Sequence, residues 1–596
     1  MTENPMSEHE ASAYNRLRRL QELSRSNMPA VLAQRASSTF TLHEEPLPAN
    51  ATTRVLVVVY PQDPFVGEPE VRTMDAADIH PGLVNSRVRM QGEVNVQPDE
   101  EGNYLYWVGT PEFDQVNAFY FTTFTLRMYE RYAQRALPWA FPMPRITIDV
   151  TLHEAANAFY SEKDRMMGFN SFLVNGGDRI STAQSADIVS HETAHAILDG
   201  LRDLYNESFS LGPTAFHESF GDITAMLVAL HDDSLVRRVL EWTEGDLHRD
   251  NFVASVAEHL TEALRLNEAE IDEASVYLRN AINNLYMLPF EELLYSPPDP
   301  EFTLGRQPHN YSRLFTGAFY DIFSGVYDHL KQHTPAHIAI YRARDIVAYL
   351  LMCAIELGPV GEFEFSDMAK SFLAAESVFY DRRYNHVLVK VFDQRRILSR
   401  DESLEFMRSL DALPDVRLPK SINSALAAAL FLEEELLPAL KLENVAELMP
   451  LSAYRNSGGD AFLTYYYTER ITIRGDQYKQ FNGASVDLYG GLSLMFDSTD
   501  RLRSVLYRPI TPADRQHVEV MVAELIEFGL ITEDYHADPA RLKNETPQAL
   551  MVVEPTFAVE PGSTHILKFP VIFDPAPIHR VKFVDYLKRI KNILRR

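Results

Sequence analysis

Ser185-Ala-Asp-Ile-Val-Ser-His-Glu-Thr-Ala-His-Ala-Ile-Leu-Asp199 is the stretch on which the reading of this chain turns. Its apolar, helix-compatible composition puts His191 and His195 one turn apart on one face, so both imidazoles reach toward a single ion. Two His at i and i+4 are half of a zinc site. Zinc takes about four donors, at roughly 2.0–2.2 Å for N and O, so a third protein ligand is required. Glu192 lies beside the metal position and is available as a base.

In a chain with 19 His, the five letters H-E-x-x-H suggest a site without deciding it; the bland reading is two ordinary helix histidines. The signal strengthens at Pro213-Thr-Ala-Phe-His-Glu-Ser-Phe-Gly-Asp-Ile-Thr-Ala-Met226, which reads as a second helix capped by Thr214 and reached after a loop containing Gly212 and Pro213. It carries Glu218 and, one turn later, Asp222. A Glu on a neighbouring antiparallel helix closes the zinc shell, and an Asp at i+4 accepts the free ring N–H of a ligating His and fixes its tautomer. Glu207, in the intervening loop, and His217, about a third of a turn from Glu218, are the weaker ligand candidates.

These residues resemble the thermolysin-like metallopeptidases, the gluzincins, whose metal is held by the two His of H-E-x-x-H and a downstream Glu in an E-x-x-x-D helix. His191-Glu-Thr-Ala-His-Ala-Ile-Leu-Asp199 is similar to the family's H-E-x-x-H-x-x-x-D, and Leu204-Tyr-Asn-Glu-Ser208 to its Y-x-N-E-S segment. By that resemblance Asp199 and Asp222 steady the ligands, and Tyr205 donates a hydrogen bond in the transition state. Asn157-Ala-Phe-Tyr160 is similar to the family's edge strand, in which the Asn side chain and the Ala carbonyl, here Asn157 and Ala158, align the substrate backbone. Pro308-His-Asn-Tyr-Ser-Arg-Leu-Phe-Thr-Gly-Ala-Phe-Tyr320 resembles the stretch whose His, here His309, donates to the oxyanion, with Glu301 or Asp299 as its acidic neighbour. Phe113-Asp-Gln-Val-Asn-Ala-Phe-Tyr120 and Phe365-Ser-Asp-Met-Ala-Lys370 look like helix starts at the two ends of the catalytic unit, so the resemblance covers about 113 to 400.

What the resemblance implies is an α+β, two-lobed unit, a β-containing lobe and a helical lobe joined by the zinc-bearing helix. It also implies one zinc per chain and hydrolysis of internal peptide bonds with Glu192 as general base. The family's acidic calcium loop is not recognisable beyond Glu218, and calcium is not part of the expectation. A zinc-binding scaffold without turnover, recognising partners through its C-terminal region, is the alternative.

Around that unit, residues 1–35 read as a mobile or docking arm and 36–112 as a small β-rich leading domain, with strands at Arg54-Val-Leu-Val-Val-Val-Tyr60 and near Ser86-Arg-Val-Arg-Met90. Residues 401–596 read as an α+β accessory region, helical near 420–440, with strands at Phe462 to Ile473 and Leu492 to Phe496. Gly490-Gly491, near Tyr465-Tyr-Tyr467, reads as a hairpin turn beside an aromatic strand face. The end, His579-Arg-Val-Lys-Phe-Val-Asp-Tyr-Leu-Lys-Arg-Ile-Lys-Asn-Ile-Leu-Arg-Arg596, is a basic amphipathic helix candidate for a membrane surface or an acidic partner, and more commonly such a tail packs on its own domain.

Composition sets the remaining bounds. The chain has 596 residues, 56 Lys plus Arg against 84 Asp plus Glu, and a formal charge of -28, which disfavours a nucleic-acid partner held by phosphate neutralisation. One cysteine, Cys353, sits in an apolar run, so no intrachain disulfide forms and a buried inert thiol is expected. No apolar run approaches the roughly 18 residues of a membrane span. The polar start Met1-Thr-Glu-Asn-Pro-Met-Ser-Glu-His-Glu10 lacks a secretory pattern, giving the expectation of a cytoplasmic protein that leaves non-classical export open.

Overall fold

The computed structural model describes residues 40–41, 53–64, 66–92, 94–150, 158–162, 164–173, 179–256, 279–295, 297, 302–422, 424–442, 447–533, 557–560 and 562–568. The N-terminal arm, the basic C-terminal tail, Asn157, Asp299 and Glu301 fall outside them.

Helix Pro111–Ala133 starts where Thr110 accepts a hydrogen bond from the Phe113 N–H and proline occupies the first turn, and it stops at Gln134 in the left-handed region. It buries Val116, Phe119 and Leu126 and packs on the motif helix Ala186–Leu201, where its Thr122 and Thr125 hydroxyls meet those of Thr193 and Ser190. Beside them runs a four-stranded sheet in the order Val88–Gln91, Ile146–Asp149, Met166–Phe169, Ala158–Ser161. Its first two pairings are parallel and the last is antiparallel. The leading segment donates the strand Val88–Gln91 to this sheet. Its hairpin, Arg54–Val59 with Glu70–Asp75, buries Val57, Val59 and Met74 in the same apolar cluster as Phe119 and Val189.

The helical layer comprises Leu211–Ala229, Pro308–Lys331, Ala336–Leu357 and Phe365–Phe379, followed by Asn385–Gln394 and Arg400–Asp411. Leu211–Ala229 packs between the motif helix and Pro308–Lys331. Its N-cap position is Ser210, so Gly212 and Pro213 lie within the first turn and Thr214 is not the cap; the Thr214 hydroxyl donates back to the Ser210 carbonyl at 3.0 Å instead. Cys353 is a buried free thiol whose pKa burial pushes well above the ordinary range.

Residues beyond 411 supply four strands of a five-stranded sheet whose first edge strand is Phe40–Thr41 from the leading segment, in the order Phe40–Thr41, Met449–Arg455, Ala461–Thr472, Ser485–Phe496, Leu502–Arg508, with helix Pro512–Glu527 following. This sheet is tied to the helical layer. Phe462, Met495 and Met521 enter the main core, the Glu362 N–H donates to the Tyr489 carbonyl at 2.8 Å, and the Ser493 hydroxyl donates to the Gly358 carbonyl at 2.6 Å. Gly490 and Gly491 are not a turn. They lie in the interior of the long strand, where a Cβ on Gly491 would stand 2.9 Å from Val360 Cβ, so the missing side chain lets the sheet close onto the 358–363 loop. Among the described residues no helix is long and apolar enough to cross a membrane.

Candidate metal centre

The motif helix is set by its cap and its burial. Ser185 accepts from the Ile188 N–H and its own hydroxyl donates to Asp63 at 2.8 Å, fixing the first turn, and residues 186–199 are buried on every side. The helical period brings the His191 and His195 rings to a centroid separation of 4.7 Å, nearly perpendicular at 86°. Glu192, 3% exposed, sits in the same turn.

Leu211–Ala229 lays Glu218 across both rings. Its Oε2 is 3.5 Å from His191 Nε2 and its Oε1 is 3.7 Å from His195 Nε2. Two donors each about 2.1 Å from a tetrahedral ion stand about 3.4 Å apart, close to these two separations. One ligand atom from each of His191, His195 and Glu218 lies within 4.8 Å of the others, and all three residues are buried. Burial pushes His195 well below its ordinary pKa, with Glu218 opposing and the neighbouring His191, His217 and His309 adding to the depression. A neutral imidazole is the form a metal requires.

Two residues of the same helix shape the His191 side. Asp222 Oδ1 lies 3.2 Å from His191 Nδ1, the nitrogen turned away from Glu218, which is where an orienting carboxylate belongs. Between them in sequence is Gly221, and a Cβ built there would overlap the His191 imidazole. Gly221 was not among the residues expected to matter. Its signal in the sequence is a helix-interior glycine between Glu218 and Asp222, at a position that otherwise favours a helix former.

His309 also arrives. It occupies the first turn of Pro308–Lys331, and its Nε2 is 3.1 Å from Glu218 Oε2. The two helices are pinned beside this contact, because the Ser219 hydroxyl donates to the Ser312 carbonyl at 2.9 Å. Glu218 is thus an acidic partner of His309. His217, buried, lies with its ring 5.7 Å from that of His195, and Glu207 ends the short helix Asp203–Glu207; neither belongs to the three-donor group.

Other expected residues sit differently. Tyr205 is fully buried, its hydroxyl donates to the Pro359 carbonyl at 2.6 Å, and its ring packs on Phe216 and Phe363. Here the donor is engaged by a backbone carbonyl in the core, and burial pushes its pKa up. Asp199 accepts from the Tyr160 hydroxyl at 2.7 Å and groups with Glu162 and Asp203, so the contact it shows ties the motif helix to the sheet. Tyr160 belongs to Ala158–Ser161, the outermost strand of the four among the described residues, and Ala158 there pairs with Phe169.

An α+β fold carrying a buried cluster of two His and one Glu able to hold a metal ion is what the geometry defines. No family model matches this sequence, and no curated protein matches it. Among solved structures the chain is similar to "Precursor of Protealysin, Metalloproteinase from Serratia proteamaculans", at 14% identity and a TM-score of 0.35, over 62% of this chain and 98% of that one. So loose a likeness fixes neither fold nor activity, and the site stands on its own geometry.

Proposed function

We propose that this chain is a zinc-dependent endopeptidase of the thermolysin-like kind. The observation that carries the reading is the convergence of His191, His195 and Glu218 donor atoms at the separations of a single tetrahedral ion, with a carboxylate, Glu192, in the same buried turn. A metal held by these three residues would supply Lewis acidity and a bound water with a pKa near 7.

The protein's own residues then divide the work. Glu192 takes a proton from the attacking water and passes it to the leaving amine. His309 donates to the oxygen that becomes negative, and its place against Glu218 supports this. Asp222 keeps the His191 ring in one tautomer. The substrate backbone aligns along the strand Ala158–Ser161.

One observation favours a metal-binding chain without turnover: the Tyr205 hydroxyl is engaged by Pro359, leaving His309 as the one expected oxyanion donor beside the cluster. Purified protein digested against a broad peptide library, with Glu192→Gln in parallel, separates the two. The peptidase reading expects cleavage at internal bonds by the wild type. It expects Glu192→Gln to keep its metal and lose about 10²- to 10⁴-fold in rate, because the amide keeps the shape and accepts no proton. Equal metal content with no cleavage by either protein rejects it.

A further inference from the structure

Resting on the function proposed above, we propose that helix Pro512–Glu527 is a positioning element for His309, acting through the Arg306–Glu524 ion pair. The C-terminal region is then part of the site's construction. Arg306, Gln307 and Pro308 run directly into His309, so whatever fixes Arg306 fixes the first turn that presents the imidazole.

Three side chains of the C-terminal segment grip the strap that leads to this turn. The Glu524 carboxylate takes the Arg306 guanidinium in a two-pronged pair, Nε standing 3.0 Å from Oε1 and 3.1 Å from Oε2, with Nη2 on Oε1 as well. Both partners are mostly buried, at 14% and 13% side-chain exposure. A desolvated fork of this kind holds direction as well as distance. The Arg306 guanidinium also stands 5.2 Å above the Phe290 ring, and the His517 ring stacks on Phe290 at 3.9 Å. One helical turn past Glu524, Phe528 stacks on Tyr295 at 4.2 Å.

The strap is braced internally and the helix is anchored at its other end. The Arg306 N–H donates to the Leu294 carbonyl at 2.8 Å, and the Gly305 N–H donates to Asn310 Oδ1 at 2.6 Å, so movement of Arg306 is transmitted to the start of the His309 helix. Arg508 donates to Asp367 at 2.8 Å and to both oxygens of Asp514 in the first turn of Pro512–Glu527. The helix is therefore clamped to the helical layer at Asp367 while it holds the strap at Glu524. Nothing in the Arg306 sequence context requires this: an exposed arginine before a helix start is the ordinary reading.

The test uses the full-length, metal-loaded protein. Glu524→Gln removes the charge, Glu524→Asp keeps it but shortens the reach, and Arg306→Glu combined with Glu524→Arg reverses the pair. If the pair positions His309, both single substitutions lower kcat by about 10- to 100-fold, the scale of a misplacement of roughly 1 Å at a reacting group. KM and metal content stay at wild-type values, amide exchange at residues 305–310 quickens, and the reversed pair recovers kcat relative to Arg306→Glu alone. Wild-type kcat in Glu524→Gln and Glu524→Asp, with only the unfolding temperature lowered, overturns the proposal and leaves the peptidase reading intact. If the wild type itself cleaves nothing, the peptidase reading fails, and unchanged exchange at 305–310 in Glu524→Gln then overturns the positioning role independently.

Discussion

His309 Nε2 lies 3.1 Å from Glu218 Oε2, the same oxygen that stands 3.5 Å from His191 Nε2. One carboxylate therefore links the candidate metal cluster to the candidate oxyanion donor, across helices far apart in sequence. A donor that acts as charge develops should show itself in kcat more than in KM. His309→Ala is expected to lower kcat by about 10²- to 10³-fold with metal content unchanged. Steady-state kinetics on a cleaved peptide, with metal analysis of the same preparation, checks this; a well-folded variant with wild-type kcat would reject the role.

The ligand assignment predicts a hierarchy of metal loss. Glu218→Ala removes one of three protein donors and should leave little bound zinc, whereas Glu207→Ala, outside the donor group, should retain it. Gly221→Ala should also weaken binding, by displacing the His191 ring that its Cβ would overlap, and Asp222→Asn by about 10- to 100-fold through loss of an orienting carboxylate. Metal titration of the four variants decides it, and equal affinities throughout would sink the assignment.

Tyr205 gives a prediction opposite to the one its sequence context suggests. Its hydroxyl bonds to Pro359 in the core, so Tyr205→Phe should cost about 1–2 kcal/mol of stability, the scale of one buried hydrogen bond with a carbonyl left behind, and leave kcat near wild type. A hundredfold loss of kcat in a stably folded Tyr205→Phe protein would restore its place in the chemistry.

Glu362 predicts how stability depends on pH. It is buried between the Ser208 hydroxyl, 2.5 Å away, and the Tyr489 N–H, and desolvation, partly offset by these hydrogen bonds, pushes its carboxyl up to about 7. The folded chain thus binds this proton more tightly than the unfolded chain, where an ordinary Glu titrates near 4.5. Its contribution to stability is full below about pH 4.5 and is lost as pH rises through about 7. Glu362→Gln should flatten that decline between pH 5 and pH 8 in thermal unfolding, and parallel curves for the two proteins would show that this carboxyl is not the source.

The ligand set was legible in sequence because it depends on spacing within single helices. H-E-x-x-H fixes His191 and His195 on one face, and E-x-x-x-D fixes Glu218 and Asp222 on another, whatever else the chain does. The long strands were legible from their apolar and aromatic runs, as at Ala461–Thr472, which the reading placed at 462–473. The glycine pair was misjudged because Gly-Gly signals a turn locally. Here its cause is distant: the Tyr467 ring occupies the space a side chain on Gly490 would need, and the Tyr465 carbonyl and the Val360 side chain occupy that of Gly491.

What the sequence by itself determined is the chemistry of the cluster: which side chains carry metal-compatible donors, and that helical periodicity presents them one turn apart. What only the tertiary structure decided is which atoms meet across elements. Tyr205 goes to Pro359, Asp199 to Tyr160, His309 to Glu218, and Arg306 to a glutamate in the C-terminal helix. The physical reason lies in range. Backbone hydrogen bonding sets positions within one helix independently of the rest of the chain, whereas contacts between helices are selected by packing and by the need to pair every buried polar group, which is satisfied only once all the layers are assembled.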